Sequence, residues 1–120
     1  MDRAKTSLNE ARLLFENSYC LAALNRCYYA AFYAVSALLL TKNKSSSKHS
    51  GILSLFKSQL VKPGIVSAEP ARFYLELYKY RLKIDYDDYA EMKALEVLSW
   101  LDKTSQFIKQ LDSTVERILS

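Results

Sequence analysis

The apolar positions of this chain recur every three or four residues, the spacing of one helix face. Leu8, Ala11, Leu14 and Phe15 repeat in this way and predict a first helix over about Arg3 to Asn17, which the polar pair Asn17-Ser18 can break or cap. A second helix is predicted over Tyr19 to Thr41, rich in Ala and Leu and free of Gly and Pro. From Cys27 to Leu40 it is apolar almost all round, so it should be the buried central helix. Lys42 to Ser47, KNKSSS, is the clearest loop. A third helix is predicted over Lys48 to Val61, with Ile52, Leu55, Phe56 and Leu60 on one face and Lys62-Pro63-Gly64 as its stop. A fourth starts near Ala68, with Pro70 in its first turn, and carries Phe73, Leu77, Tyr80 and Ile84. Asp85 to Asp88 reads as a short acidic connection, and Asp88 with Glu91 as a capping box for a fifth helix over Tyr89 to Leu119. Leu95, Leu98, Leu101, Phe107, Ile108, Leu111, Val115 and Ile118 form the stripe of that last helix.

No strand pattern and no internal repeat interrupts this series. The expected fold is all-α, an up-and-down antiparallel bundle of four to five helices forming one domain over residues 1–120. Strict alternation would gather the end of helix two, the start of helix three, the end of helix four and the start of helix five at one pole. Lys48, His49, Arg81, Asp85 and Tyr86 would then cluster there.

Charge sharpens the picture. The net charge is +4, and no acidic residue occurs between Glu16 and Glu69, while Arg26, Lys42, Lys44, Lys48, Lys57 and Lys62 all fall in that stretch. A half this basic can attract phosphate, although a solvated lysine-rich loop would read the same way. Cys20 and Cys27, seven residues apart on one helix, are about 10.5 Å apart along its axis, too far to pair. The expectation is two free thiols in a cytoplasmic protein, because Met1 to Glu16 is charged and amphipathic, unlike a secretory signal. The second helix is interrupted by Asn25 and Arg26, and the 14 apolar residues after them fall short of a membrane span.

Several chemistries are excluded. There is no glycine-rich phosphate loop, and one His with two unpaired Cys makes neither a zinc site nor a Glu-x-x-His di-iron site. No metal and no cofactor is expected. Two segments remain. In Tyr19 to Phe32, Tyr19, Arg26 and Tyr33 fall at i, i+7 and i+14 on one face. An arginine flanked by tyrosine rings is suited to hold a phosphate or carboxylate and can stack, or else it pairs with an acid of helix four or five. The second segment, Lys48-His49-Ser50-Gly51, opens helix three, and His49 is the one side chain there that ordinarily titrates near neutral pH.

The run Tyr19, Ala22, Arg26, Tyr28-Tyr29-Ala30, Phe32, then Ala37-Leu38-Leu39, a Ser/Lys loop, Lys48-His49-Ser50-Gly51 and Phe56 resembles the HEPN domain family. Arg81-Leu-Lys-Ile-Asp85-Tyr86 resembles that family's Arg-x-x-x-Asp-Tyr segment, and the resemblance covers nearly the whole chain. It implies a helical bundle that binds nucleotide or RNA, commonly as a homodimer and often with a minimal nucleotidyltransferase in a toxin–antitoxin module. Many members are metal-independent ribonucleases with an Arg-x4–6-His motif. This chain departs from that pattern, because Tyr86, Asp87 and Asp88 stand where the histidine would fall after Arg81. The resulting expectation is a nucleotide- or RNA-binding protein using Arg26, Tyr29, Lys48, His49, Arg81 and Asp85, with a homodimer also favoured by the tyrosine-rich second helix. The alternative is a ribonuclease with Arg81 acting alongside Tyr86 or His49.

Overall fold

The computed structural model describes the backbone of residues 1–86 and 94–120, with side chains for residues 1–83 and 94–120. Asp88 and Glu91, expected to cap the last helix, lie outside the described residues. Among the described residues every regular element is helical: α1 (Asp2–Glu16), α2 (Cys20–Leu40), α3 (His49–Leu55), a π-helical stretch (Phe56–Val61), α4 (Ala68–Tyr86) and α5 (Ala94–Leu119). The expected acidic connection is therefore partly helix, since α4 runs on through Asp85 and Tyr86.

The helix ends follow from local chemistry. Ser18 adopts a left-handed backbone (φ 66°), which lets its N–H reach the Phe15 carbonyl at 3.0 Å and the Tyr19 N–H reach that of Leu14 at 2.8 Å. Asn43 (φ 57°) closes α2 in the same way, with Asn43 N–H on Leu40 and Lys44 N–H on Leu39. Both are the paired bonds that satisfy the otherwise orphaned last carbonyls of a helix.

α2 is the axis of the molecule. Ala23, Ala30, Ala31 and Ala34 are fully buried along it, together with Leu24, Val35, Leu38 and Leu39. These small residues let neighbouring helices approach closely. α1 applies Ala4, Ser7, Leu8 and Ala11, a stripe at intervals of three and four, and α5 applies Val97, Leu101, Thr104, Phe107, Ile108 and Leu111. Leu95 and Leu98, expected in that stripe, are instead 80% and 43% exposed. They lie off the phase that runs through Val97, Leu101 and Thr104, so the core face turns away from them. An aromatic seam joins α4 to α5, with Phe73 against Trp100 and Phe107, and Tyr80 against Trp100.

Pairings fix the helix directions. Lys5 bridges Asp112 at 2.9 Å and Arg12 reaches Ser105, so α1 and α5 are antiparallel. Arg3 meets Tyr33 and Ser7 meets Arg26, so α1 and α2 are antiparallel too. Phe73 against Phe107 and Tyr80 against Trp100 make α4 and α5 antiparallel as well, so the four long helices alternate among themselves. α3 does not join that alternation, so α4 and α5 run opposite to the directions expected from five alternating helices, and the end of α4 does not share a pole with the end of α2. Lys42, just past α2, donates to the Gln59 carbonyl at 3.1 Å, whereas His49 stacks on Phe32 at 4.6 Å between centroids. α3 therefore runs the same way as α2, and residues 41–48 double back along it. The start of α3 lies beside the middle of α2 rather than at a shared pole.

The loop can double back because of Gly51. A Cβ there would strike the Ser46 hydroxyl and stand 2.9 Å from the Ser46 Cβ. Ser46 in turn accepts the Lys48 N–H at 3.2 Å, closing the loop against the first turn of α3.

Candidate functional site

Where α2, α3 and α4 meet, aromatic and cationic side chains converge. α2 supplies Tyr28, Tyr29 and Phe32, whose spacings of one, three and four residues place them on adjoining strips of one helix face. Tyr28 is fully buried, and Tyr29 and Phe32 are half-buried. α3 supplies His49, which lies parallel to Phe32, offset-stacked on Tyr28 at 5.6 Å, and edge-on to Tyr29 at 5.5 Å. Its Nδ1 is 3.1 Å from the Tyr28 hydroxyl, a hydrogen bond that fixes the ring's orientation. α4 supplies Arg81, whose guanidinium carbon lies 4.8 Å from the Tyr28 ring centre and 5.5 Å from that of Tyr29. Arg81 also donates from Nη2 to the Tyr29 hydroxyl at 3.4 Å. Tyr74 and Tyr78 of α4 back the cluster, each within 6.4 Å of Tyr28.

Burial sets the protonation of the tyrosines. It pushes the Tyr28 hydroxyl up to about 12, against the opposing pull of the Arg81 guanidinium. Tyr74 is raised further, by burial first and by neighbouring Tyr28 second. Both stay neutral at physiological pH, so Tyr28 acts as a hydrogen-bonding partner and not as a base.

The residues expected to form the site separate into groups. Tyr29, His49 and Arg81 come together, and Arg26 joins them because its guanidinium lies 5.0 Å from the Tyr29 ring. Arg26 does not sit between Tyr19 and Tyr33, because residues seven apart are about 10.5 Å apart along the axis, too far for one guanidinium to stack on both. Tyr19 is 62% exposed, and Tyr33 takes Arg3 instead, at 4.3 Å. Among the described side chains, the acid that Arg26 meets is Glu10 of α1 at 3.8 Å rather than one from α4 or α5, and Arg26 also donates to Ser7 at 3.1 Å. Lys48 is exposed at the N-cap of α3. Asp85 and Tyr86 occupy the last turn of α4, and their side chains lie outside those described. Lys42, grouped with the free lysines of the loop, is engaged on the Gln59 carbonyl.

Tyr28, Phe32 and Arg3 escaped the site reading. The first two carried a signal, because Tyr28 and Phe32 lie one turn apart on α2 and flank Tyr29. Arg3 carried none, since its partner Tyr33 is thirty residues away. Among the described residues no three His, Cys, Asp or Glu side chains gather as metal ligands, and no helix is long and apolar enough to cross a membrane.

The HEPN domain model matches residues 1–118. The chain belongs to the HEPN domain family. Relatives agree over most of their length. A UPF0332 protein of Thermotoga maritima is 40% identical over 114 residues, covering 95% of this chain and 86% of that protein. Two proteins of Methanocaldococcus jannaschii, both named as candidate toxins, are 34% and 32% identical, covering 92% and 90% of this chain and 75% and 85% of their own lengths. In this HEPN protein Arg81 of α4 is joined by an imidazole from a different helix: His49 reaches the rings under Arg81 because residues 41–48 double back along α2.

Proposed function

We propose that this HEPN protein is the toxin component of a toxin–antitoxin module, that it binds single-stranded RNA across the Tyr28–Tyr29–His49–Arg81 cluster, and that its partner is a minimal nucleotidyltransferase. The observation that carries the RNA reading is the sharing of Tyr28 and Tyr29 by His49 and Arg81. Tyr28 is buried backing, while the part-exposed Tyr29 and His49 rings can stack on bases and the planar Arg81 guanidinium can fork onto phosphate, so one patch offers both parts of single-strand recognition. The exposed lysines Lys44 and Lys48 lie in the loop leading into α3 and add long-range attraction. The toxin reading draws on the names of the two Methanocaldococcus jannaschii relatives. A homodimer belongs to the same proposal. Tyr19, Leu21, Leu95 and Leu98 are exposed where α2 and α5 both begin, an apolar end that a second copy would cover.

The test is anisotropy of a labelled single-stranded RNA over a salt series with chelator present. Wild type should bind with an affinity that falls steeply with salt, and Arg81→Ala should bind at least tenfold more weakly. No binding by wild type at low salt refutes the reading.

A second reading is favoured by the proximity of His49 to Arg81: metal-free RNA cleavage, with Arg81 on the phosphate and His49, or Tyr86 beyond Arg81, moving protons. In that case wild type cleaves RNA in chelator, Arg81→Ala does not, and His49→Ala or Tyr86→Phe slows cleavage about a hundredfold or more. Binding without cleavage is the outcome expected here.

A further inference from the structure

Next to the aromatic cluster, between α1 and α2, lies a cavity of about 220 Å³. Tyr33 forms one wall, with the Arg3 guanidinium 4.3 Å from its ring centre and donating to its hydroxyl at 3.2 Å. Arg26 lines the opposite side with Ser7 and Glu10, and Asp2 and Thr6 complete the rim. We infer that this cavity is a base-reading subsite for a guanine nucleotide.

Three features point to a base rather than a bare phosphate. Two arginines are matched by two carboxylates, Asp2 and Glu10, so the charges cancel and a free anion gains little. The same four groups offer donors and acceptors side by side. Guanine presents O6 and N7 as acceptors that suit an arginine fork, and an N1–H with a neighbouring exocyclic amino group that suits a carboxylate. Adenine has no such pair of adjacent donors. The Glu10 side chain is half exposed, and at 3.8 Å from Arg26 Nε it lies beyond hydrogen-bond reach, so its oxygens retain acceptor capacity. Finally, the wall is planar and cationic: the Arg3 guanidinium lies over the Tyr33 ring, and its outer face is a surface on which bases stack.

The position suits a neighbouring nucleotide of the same strand. The Tyr33 and Tyr29 rings are 6.2 Å apart, and Tyr29 is also the ring that Arg81 covers. The inference rests on the RNA reading for its biological place, but the binding it predicts can be measured without RNA.

The experiment is an amide-shift titration of the labelled, full-length protein with guanosine, inosine and adenosine monophosphates and with inorganic phosphate. Guanosine monophosphate should shift Thr6, Ser7 and Tyr33 saturably. Inosine monophosphate, which lacks only the exocyclic amino group, should bind about tenfold more weakly. The adenosine nucleotide and inorganic phosphate should leave those amides in place. Glu10→Gln should abolish the preference for guanosine over inosine, whereas Arg3→Gln should weaken both alike. Thermal melting of each variant verifies folding, and with two surface variants a failure of one still leaves a result. Equal binding of the guanosine and inosine nucleotides, the same shifts with inorganic phosphate, or an unaltered preference in Glu10→Gln overturns the inference. Guanine binding without any RNA binding refutes the RNA reading and leaves the subsite standing. RNA binding without guanine preference does the reverse.

Discussion

Gly51→Ala sets two general rules against each other, and the geometry decides between them. Inside a helix, alanine in place of glycine ordinarily stabilises by about 1 kcal/mol. At Gly51 the new methyl would strike the Ser46 hydroxyl and lie 2.9 Å from the Ser46 Cβ, closer than carbon atoms approach. Moving Ser46 aside loses the Lys48 N–H···Ser46 bond, a net contribution of about 0.5–1.5 kcal/mol. Crowding adds about 1–3 kcal/mol, the usual cost of an inserted methyl. The propensity gain is outweighed, and Gly51→Ala should destabilise by about 0.5–3.5 kcal/mol in urea unfolding. Ser46→Ala in the same background should relieve only part of it, because the hydroxyl contact goes but the Cβ contact survives. Ser46→Gly should relieve the crowding in full, giving a coupling of at least about 1 kcal/mol in the double-mutant cycle. The crowding also acts on the site, since His49 lies in the same turn as Gly51. Its ring resonances should move in Gly51→Ala and return in the double variant. A midpoint raised by Gly51→Ala, with His49 unmoved, would refute the reasoning.

Ser18→Gly should stabilise by about 0.5–1 kcal/mol, because a left-handed backbone costs a side chain about that much and costs glycine nothing; an unchanged urea midpoint counts against the strain. Burial holds Tyr28 neutral up to about 12 while an unfolded tyrosine ionises near 10, so its contribution is constant below pH 10 and is lost as pH rises from about 10 to 12, in total about 2–3 kcal/mol. Tyr28→Phe should therefore flatten the loss of stability across that window by close to one proton, and an unaltered slope would show that Tyr28 ionises as freely folded as unfolded.

Much of the fold was legible because helices write their burial locally. The boundaries of α1, α2 and the start of α4 follow from spacing and turn chemistry within a few residues. The alanine-rich centre of α2 could be read because a helix apolar on all sides has to be enclosed. The direction of α3 could not be read. It depends on the Ser46–Gly51 approach and on the tie from Lys42 to Gln59, both set in three dimensions. Nor does periodicity tell that the turns of Phe56–Val61 widen into a π-helix. Leu95 and Leu98 show a related limit. A stripe drawn through every leucine of α5 has two phases, and only packing against α2 selects the one through Val97. In the site, Tyr29, His49 and Arg81 were each visible as chemistry, but a shared pole was the wrong reason for their meeting.

The reversal of α3 bears on the choice between binding and cleavage. The family pattern that this chain resembles places a histidine a few residues after the arginine, on the same stretch of chain. Here those positions hold Tyr86, Asp87 and Asp88, and the imidazole near Arg81 arrives from α3. Tyr28 holds its Nδ1 and two further rings border it, an arrangement that fixes the imidazole plane. A fixed, ring-packed imidazole suits stacking and a steady hydrogen bond. General acid–base catalysis needs a group aimed at the proton it moves, and the Nδ1 of His49 is already taken by Tyr28, whose hydroxyl burial keeps neutral to about pH 12. For that reason the cluster is read first as a surface that grips RNA and only second as one that cuts it.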